Sequence, residues 1–141
     1  MIWKKTTTLQ ALNQLCQNSA VSHLGIEFCE QGEDYLVACL SVDSRTTQPF
    51  GLLHGGISAT LAETVASAAA MLSVEDEIPV GTELNISHLQ AVKKGQVFAK
   101  ARPVHLGKGQ QVWQIDLSDE QNRLCAVARL TVRLLKAGNQ G

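Results

Sequence analysis

A single carboxylate stands in the middle of an otherwise uncharged stretch. From residue 57 to residue 74 the chain is built of Ile, Leu, Val and Met with many Ala, Ser and Thr, and Glu63 is its only charged side chain. A stretch that is apolar nearly all round reads as a buried helix, and Ala is the strongest helix former. The expectation is therefore a buried carboxylate. Burying an unpaired charge is expensive, which makes Glu63 a candidate general base or nucleophile. Directly before the helix comes Gln48-Pro49-Phe50-Gly51-Leu52-Leu53-His54-Gly55-Gly56. It sets an amide, an imidazole and two glycines at the helix start, where backbone N–H groups are unpaired and carry the positive end of the helix dipole.

Winding the helix at about 100° per residue puts Gly56, Ala59, Thr60, Ala66, Ser67 and Ala70 on the side of Glu63. Ile57, Leu61, Val65 and Leu72 fall on the opposite side. The large residues are expected to pack into a core and the small ones to leave space over the carboxylate. That space suits a ligand, or the close approach of another backbone. A sheet covers the large side, so a second copy of the chain is expected to close the small one in a two-fold contact. The predicted assembly is a homodimer or a homotetramer of two dimers, with substrate between chains.

The elements around this helix follow from periodicity. Residues 8–17 read as a short amphipathic helix capped by Thr8, with Leu9, Leu12, Leu15 and Cys16 as its stripe. Strand character is expected at 23–28 and 34–42, joined by a turn at Gln31-Gly32-Glu33. The loop at 43–56 is long enough to be functional. After the helix, strands are expected at 80–89, 96–104, 111–118 and 124–134. The last has Leu124, Ala126, Ala128, Leu130, Val132 and Leu134 on one face and Arg129 and Arg133 on the other. The connections Lys93-Lys94-Gly95, Leu106-Gly107-Lys108-Gly109 and Asp119-Glu120-Gln121-Asn122 are short, implying antiparallel neighbours. About six antiparallel strands curling around one helix make an α+β hot-dog fold. A single domain over residues 1–136 is expected, with a flexible tail at 137–141.

At 141 residues and a net charge of -1, the chain has room for one real core and shows no basic stripe that would mark a nucleic-acid partner. No stretch reads as apolar and long enough to cross a bilayer, and Met1-Ile2-Trp3-Lys4-Lys5 has no apolar run behind it, so a cytoplasmic, membrane-free protein is expected. The four cysteines, Cys16, Cys29, Cys39 and Cys125, show no metal-ligand spacing and read as small buried residues kept reduced.

The loop and helix together resemble the hot-dog thioesterases of the phenylacetate-pathway and 4-hydroxybenzoyl-CoA type. The likeness rests on His54-Gly55-Gly56 with Gln48 six residues before the His and Glu63 nine after it. It runs on through Val42-Asp-Ser-Arg-Thr, Val80-Gly-Thr-Glu-Leu-Asn and His105-Leu-Gly, over nearly the whole chain. Within that family it lies nearest the 1,4-dihydroxy-2-naphthoyl-CoA hydrolases of menaquinone synthesis and the proofreading thioesterases of enterobactin synthesis. The resemblance implies hydrolysis of an aromatic or similarly bulky acyl-CoA to free acid and coenzyme A, with no further cofactor and no metal.

It also implies roles. The N–H of Gly55 belongs to the oxyanion hole. Glu63 is general base or nucleophile, an alternative the residues leave open. Gln48 hydrogen-bonds the attacking water or the thioester, His54 orients the thioester, and Ser67, one turn after Glu63, supports its carboxylate. For coenzyme A the candidates are His88, Gly81, Thr82 and the loop His105-Leu106-Gly107-Lys108, with Arg102 as a further cation. Where some relatives have a polar residue after the histidine matching His88, this chain has Leu89. Three other functions stand beside hydrolysis of an acyl-CoA. One is proofreading hydrolysis of acyl groups on a carrier protein. Another is a non-catalytic acyl-CoA-binding module, which has no need of Glu63. The third is a dehydratase, which needs an acid–His pair not seen here.

Overall fold

The uncharged stretch is one helix, and the sheet is built to hold it. In the computed structural model, which describes residues 1–138, the elements are α1 (Leu9–Leu15), α2 (Ala20–His23), β1 (Glu27–Gln31), β2 (Leu36–Ser41), α3 (Gly55–Leu72), β3 (Ile78–His88), β4 (Gln96–Leu106), β5 (Gln110–Asp119) and β6 (Leu124–Leu135). The six strands form one antiparallel sheet in the order β1-β2-β4-β5-β6-β3, curled around α3. This is the hot-dog fold. The expected tail begins with Ala137 and Gly138, and residues 139–141 lie outside the described residues.

One face of α3 explains its composition. Leu61, Ala62, Val65, Ala66, Ala69, Ala70 and Leu72 are buried against Leu36, Leu40, Val97, Trp113, Ile115, Leu117 and Leu130 of the sheet. Each fully buried large aliphatic side chain contributes on the order of 1.5–3 kcal/mol. Among the described residues α3 alone has the length and apolar content to cross a membrane, contrary to the expectation that no stretch would. Packing on the sheet accounts for that content. Ala66 and Ala70 also correct the helical projection, since both are fully buried rather than open. The sheet wraps more than half of the helix, and small residues at the margin let it come close. The open face is instead Gly56, Ala59, Thr60, Glu63, Thr64 and Ser67.

The far end of α3 is pinned by a buried relay. Trp113 Nε1 donates to Gln111 Oε1 (2.9 Å), Gln111 Nε2 donates to Ser73 Oγ (2.9 Å), and Ser73 Oγ donates to the carbonyl of Ala70 (2.8 Å). Every polar atom in it has a partner, which makes the helix end a fixed point.

Two further expectations are corrected. Residues 23–28 are not a strand throughout: α2 ends at His23, and β1 starts only at Glu27. Ser22 Oγ accepts from the Ser19 N–H (3.4 Å) and donates to the Ser19 carbonyl (3.2 Å), closing this short turn as helix. Nor is β3 the neighbour of β4. It pairs with β6 from Ile78↔Leu135 to His88↔Ala126, and the segment 89–95 crosses the end of the sheet to reach β4 beside β2. Closing the curl around α3 requires this placement, and it leaves β3 as an exposed edge strand.

Candidate active site

The loop before α3 is anchored from below. Thr46 is fully buried; its Oγ1 donates to Ser41 O (2.9 Å) and accepts from the Asp43 N–H (3.0 Å). The Arg45 guanidinium holds the Asp43 carboxyl below its ordinary value. Gln48 then folds the next turn, with Oε1 accepting from the N–H groups of Phe50 (2.6 Å) and Leu52 (3.3 Å). The amide oxygen of Gln48 is thus committed to the turn. What Gln48 has left for a ligand is its –NH2, a donor.

His54 is the N-cap of α3. Its Nδ1 accepts from the Gly56 N–H (2.9 Å), and its carbonyl accepts from Ile57 (3.0 Å) and Ser58 (3.1 Å). Accepting at Nδ1 puts the proton of the neutral ring on Nε2. This fixes a structural role for His54 beside the role expected of it. Of the first-turn N–H groups, Gly55's alone has no protein partner among the described residues. That free donor opens onto a cleft of about 370 Å3 lined by Gln48, Leu52, Gly55, Ser58, His88 and Val92. His88 arrives from the edge strand β3, and a methyl group added at Gly55 would stand 3.0 Å from its Nε2. Hence the glycine: any side chain there pushes into the imidazole.

Glu63 occupies a different place. It is exposed in the chain rather than buried, because the sheet covers the other side of α3. Among the described residues its carboxylate has no hydrogen-bond or ion-pair partner; Ser67, expected to support it, makes no such bond. The carboxylate lies over Gly81 of β3, where an added methyl would be 3.0 Å from Oε2. It stands on the rim of a second pocket, of about 410 Å3, whose wall is apolar apart from Glu63, Thr64 and Ser67. Glu63 follows Gly55 by eight residues, which at 1.5 Å per residue is about 12 Å along the helix. Within one chain the two groups line different clefts that share no lining residue.

The structure therefore brings together Gln48, His54, Gly55 and His88, and separately Glu63, Ser67 and Gly81. Thr82 sits at the bulge of β3 with Oγ1 donating to Thr131 O (3.2 Å). The loop His105-Leu106-Gly107-Lys108 is at neither place. It flanks Ser73 to Glu77 past the far end of the 18-residue helix, and the His105 ring folds onto Gly107. Arg102 lies on β4 near the Tyr35 ring (5.5 Å). Ser58, buried in the cleft wall, was not anticipated; its position four residues after His54, on the first turn, was the available signal.

Known proteins resemble this chain over nearly its whole length. The thioesterase superfamily profile matches residues 50–126, the span from the loop before α3 to β6. A thioesterase of Haemophilus influenzae of known structure superposes with a TM-score of 0.97 at 52% identity, covering 99% of each chain. The 1,4-dihydroxy-2-naphthoyl-CoA hydrolase of Escherichia coli is 48% identical over 96% of this chain and 100% of its own length. The proofreading thioesterase EntH of Cronobacter turicensis is 49% identical over 96% of this chain and 99% of its own.

Proposed function

Since this chain belongs to the thioesterase superfamily and is a thiolester hydrolase, we propose that it cleaves bulky acyl-CoA thioesters at a site shared by two copies of the chain. The observation that carries this reading is the pair of half-sites on α3. The free Gly55 N–H and the unpartnered Glu63 lie about 12 Å apart on one helix. A second α3 packed antiparallel on the open face sets its own Glu63 beside the first Gly55. The two-fold axis then passes near residue 59, midway between positions 55 and 63, where Gly56, Ala59 and Thr60 allow close approach. Two equivalent sites result.

In such a site the thioester oxygen accepts from the Gly55 N–H, at the positive end of the α3 dipole. The partner's Glu63 takes a proton from water while the water oxygen attacks the carbonyl carbon. The tetrahedral oxyanion rests on Gly55, then collapses as the C–S bond breaks. The proton on Glu63 passes to the departing coenzyme A thiolate, leaving the free acid. In the alternative, Glu63 attacks the carbonyl itself, expels the thiolate and forms a mixed anhydride that water hydrolyses. His88, packed on Gly55, is placed to donate to the thioester or to the phosphates of coenzyme A. The loop at 105–108 meets this site only if another subunit supplies it.

A screen of aromatic and aliphatic acyl-CoAs, with the same acyl groups on a carrier protein's phosphopantetheine arm, tests the reading. Rapid release of free thiol from aromatic acyl-CoAs is expected. No turnover of any CoA thioester contradicts it, and turnover confined to the carrier-bound forms reassigns the substrate.

A further inference from the structure

One side of the pocket beneath Glu63 comes from a part of the chain outside the matched family core. Leu12, Leu15, Cys16 and Val21 come from α1, its C-cap and α2, and Phe28 from β1, while α3 supplies the other side. The family profile begins only at residue 50. We infer that the α1–α2 helical pair is the specificity wall for the acyl group, and that Cys16 and Leu15 determine which acyl groups fit. The inference rests on the hydrolase reading and extends it from the reacting bond to the group beyond it.

Three observations carry it. The wall is apolar and its one charged group is the Glu63 carboxylate at the rim, so a thioester positioned for Glu63 has its acyl group over the pocket. The wall is also held in place. The Asn13 side chain clamps α1 onto β1 at Phe28: Nδ2 donates to Phe28 O (3.1 Å), and Oδ1 accepts from Phe28 N–H (2.7 Å). At the other end, Ser19 Oγ donates to Cys16 O, closing the turn into α2. Finally, Leu12 is rooted in the core at 2% exposure, while Leu15 at the mouth is 73% exposed. Such an exposed leucine contributes little to the fold and is available to a ligand. The wall carries no cation, and its hydroxyls, those of Thr64 and Ser67, stand on α3 beside Glu63, so the α1–α2 side takes an apolar acyl group of ring size rather than a polar or charged one.

The test is the ratio of kcat/KM for benzoyl-CoA to that for acetyl-CoA in two variants. Cys16→Trp fills the pocket, and the ratio is expected to fall on the order of 10- to 200-fold, the span that contacts in a hydrophobic specificity pocket command. Leu15→Ala, at its exposed position, is expected to fold normally and to lower the ratio several-fold through a higher KM. As a measurement independent of any variant, S-benzyl-CoA, a thioether without the scissile carbonyl, is expected to slow carboxymethylation of Cys16 in the wild-type protein, read by mass spectrometry. An unchanged ratio in folded variants, or labelling of Cys16 indifferent to S-benzyl-CoA, overturns the assignment. So does a Cys16→Trp chain that loses association while all acyl-CoAs decline in parallel, for then the second copy occupies the pocket. Wild-type protein inert toward both thioesters, with Cys16 still protected, overturns the hydrolase reading and leaves the pocket as an acyl site.

Discussion

The two ends of the half-turned face of α3 are built on opposite plans. At the helix start nearly every polar group is assigned: Thr46 to the strand below, Gln48 Oε1 to its own turn, His54 Nδ1 to Gly56, and the His54 carbonyl to Ile57 and Ser58. The Gly55 N–H is what remains over. In the middle of the helix Glu63 has no protein partner among the described residues and lies open. A preorganised donor and an unengaged carboxylate on one rigid rod cannot meet each other. In the site proposed above, each is one half and another copy of the chain supplies the other.

That contrast can be broken at either end. The largest effect is expected for Glu63→Gln, which removes the acid–base group and keeps its shape. Turnover of an aromatic acyl-CoA should fall about 10² to 10⁴-fold with folding and association intact, read by steady-state kinetics alongside circular dichroism. Gly55→Ala comes next, at about 10² to 10³-fold in kcat, since losing an oxyanion donor has that effect. Here the new methyl displaces His88, 3.0 Å away, and shifts the donor with it. Ala59→Phe acts between the two ends. Overpacking the contact near the two-fold axis should weaken association by about 1–3 kcal/mol, so sedimentation should show dissociation at dilutions where activity is also lost. The smallest effect belongs to His54→Ala. Removing the N-cap should lower stability by about 1 kcal/mol in denaturant titration, with a smaller kinetic loss than Gly55→Ala.

How far the sequence foretold this depends on the kind of contact. The lone Glu63, the Gly55-Gly56 helix start and the alternation of β6 are local patterns, and all were legible with boundaries within a few residues. What escaped was set at long range. β3 sits beside β6 because the sheet must close its curl, which no short connection announces. The burial of Ala66 and Ala70 depends on how much of α3 the sheet wraps, and helical projection sees only one element. The exposure of Glu63 follows from the same fact. The resemblance gives Gln48 and His54 roles toward substrate, and their spacing alone does not reveal that Gln48 Oε1 also holds the turn and His54 Nδ1 the helix cap. The clamp of Asn13 on Phe28 joins residues 15 apart, and a single amide in a short helix gives no hint of its partner.

The central claim is that Gly55 of one chain works with Glu63 of another, and mixing inactive variants tests it most directly. Glu63→Gln and Gly55→Ala chains, unfolded and refolded together in equal amounts, should regain about a quarter of wild-type activity. Half of the dimers are mixed, and one of the two sites in each is intact. A mixture no more active than its two parents, although mixed dimers are shown to form, would contradict the shared site and place both groups in the service of one chain.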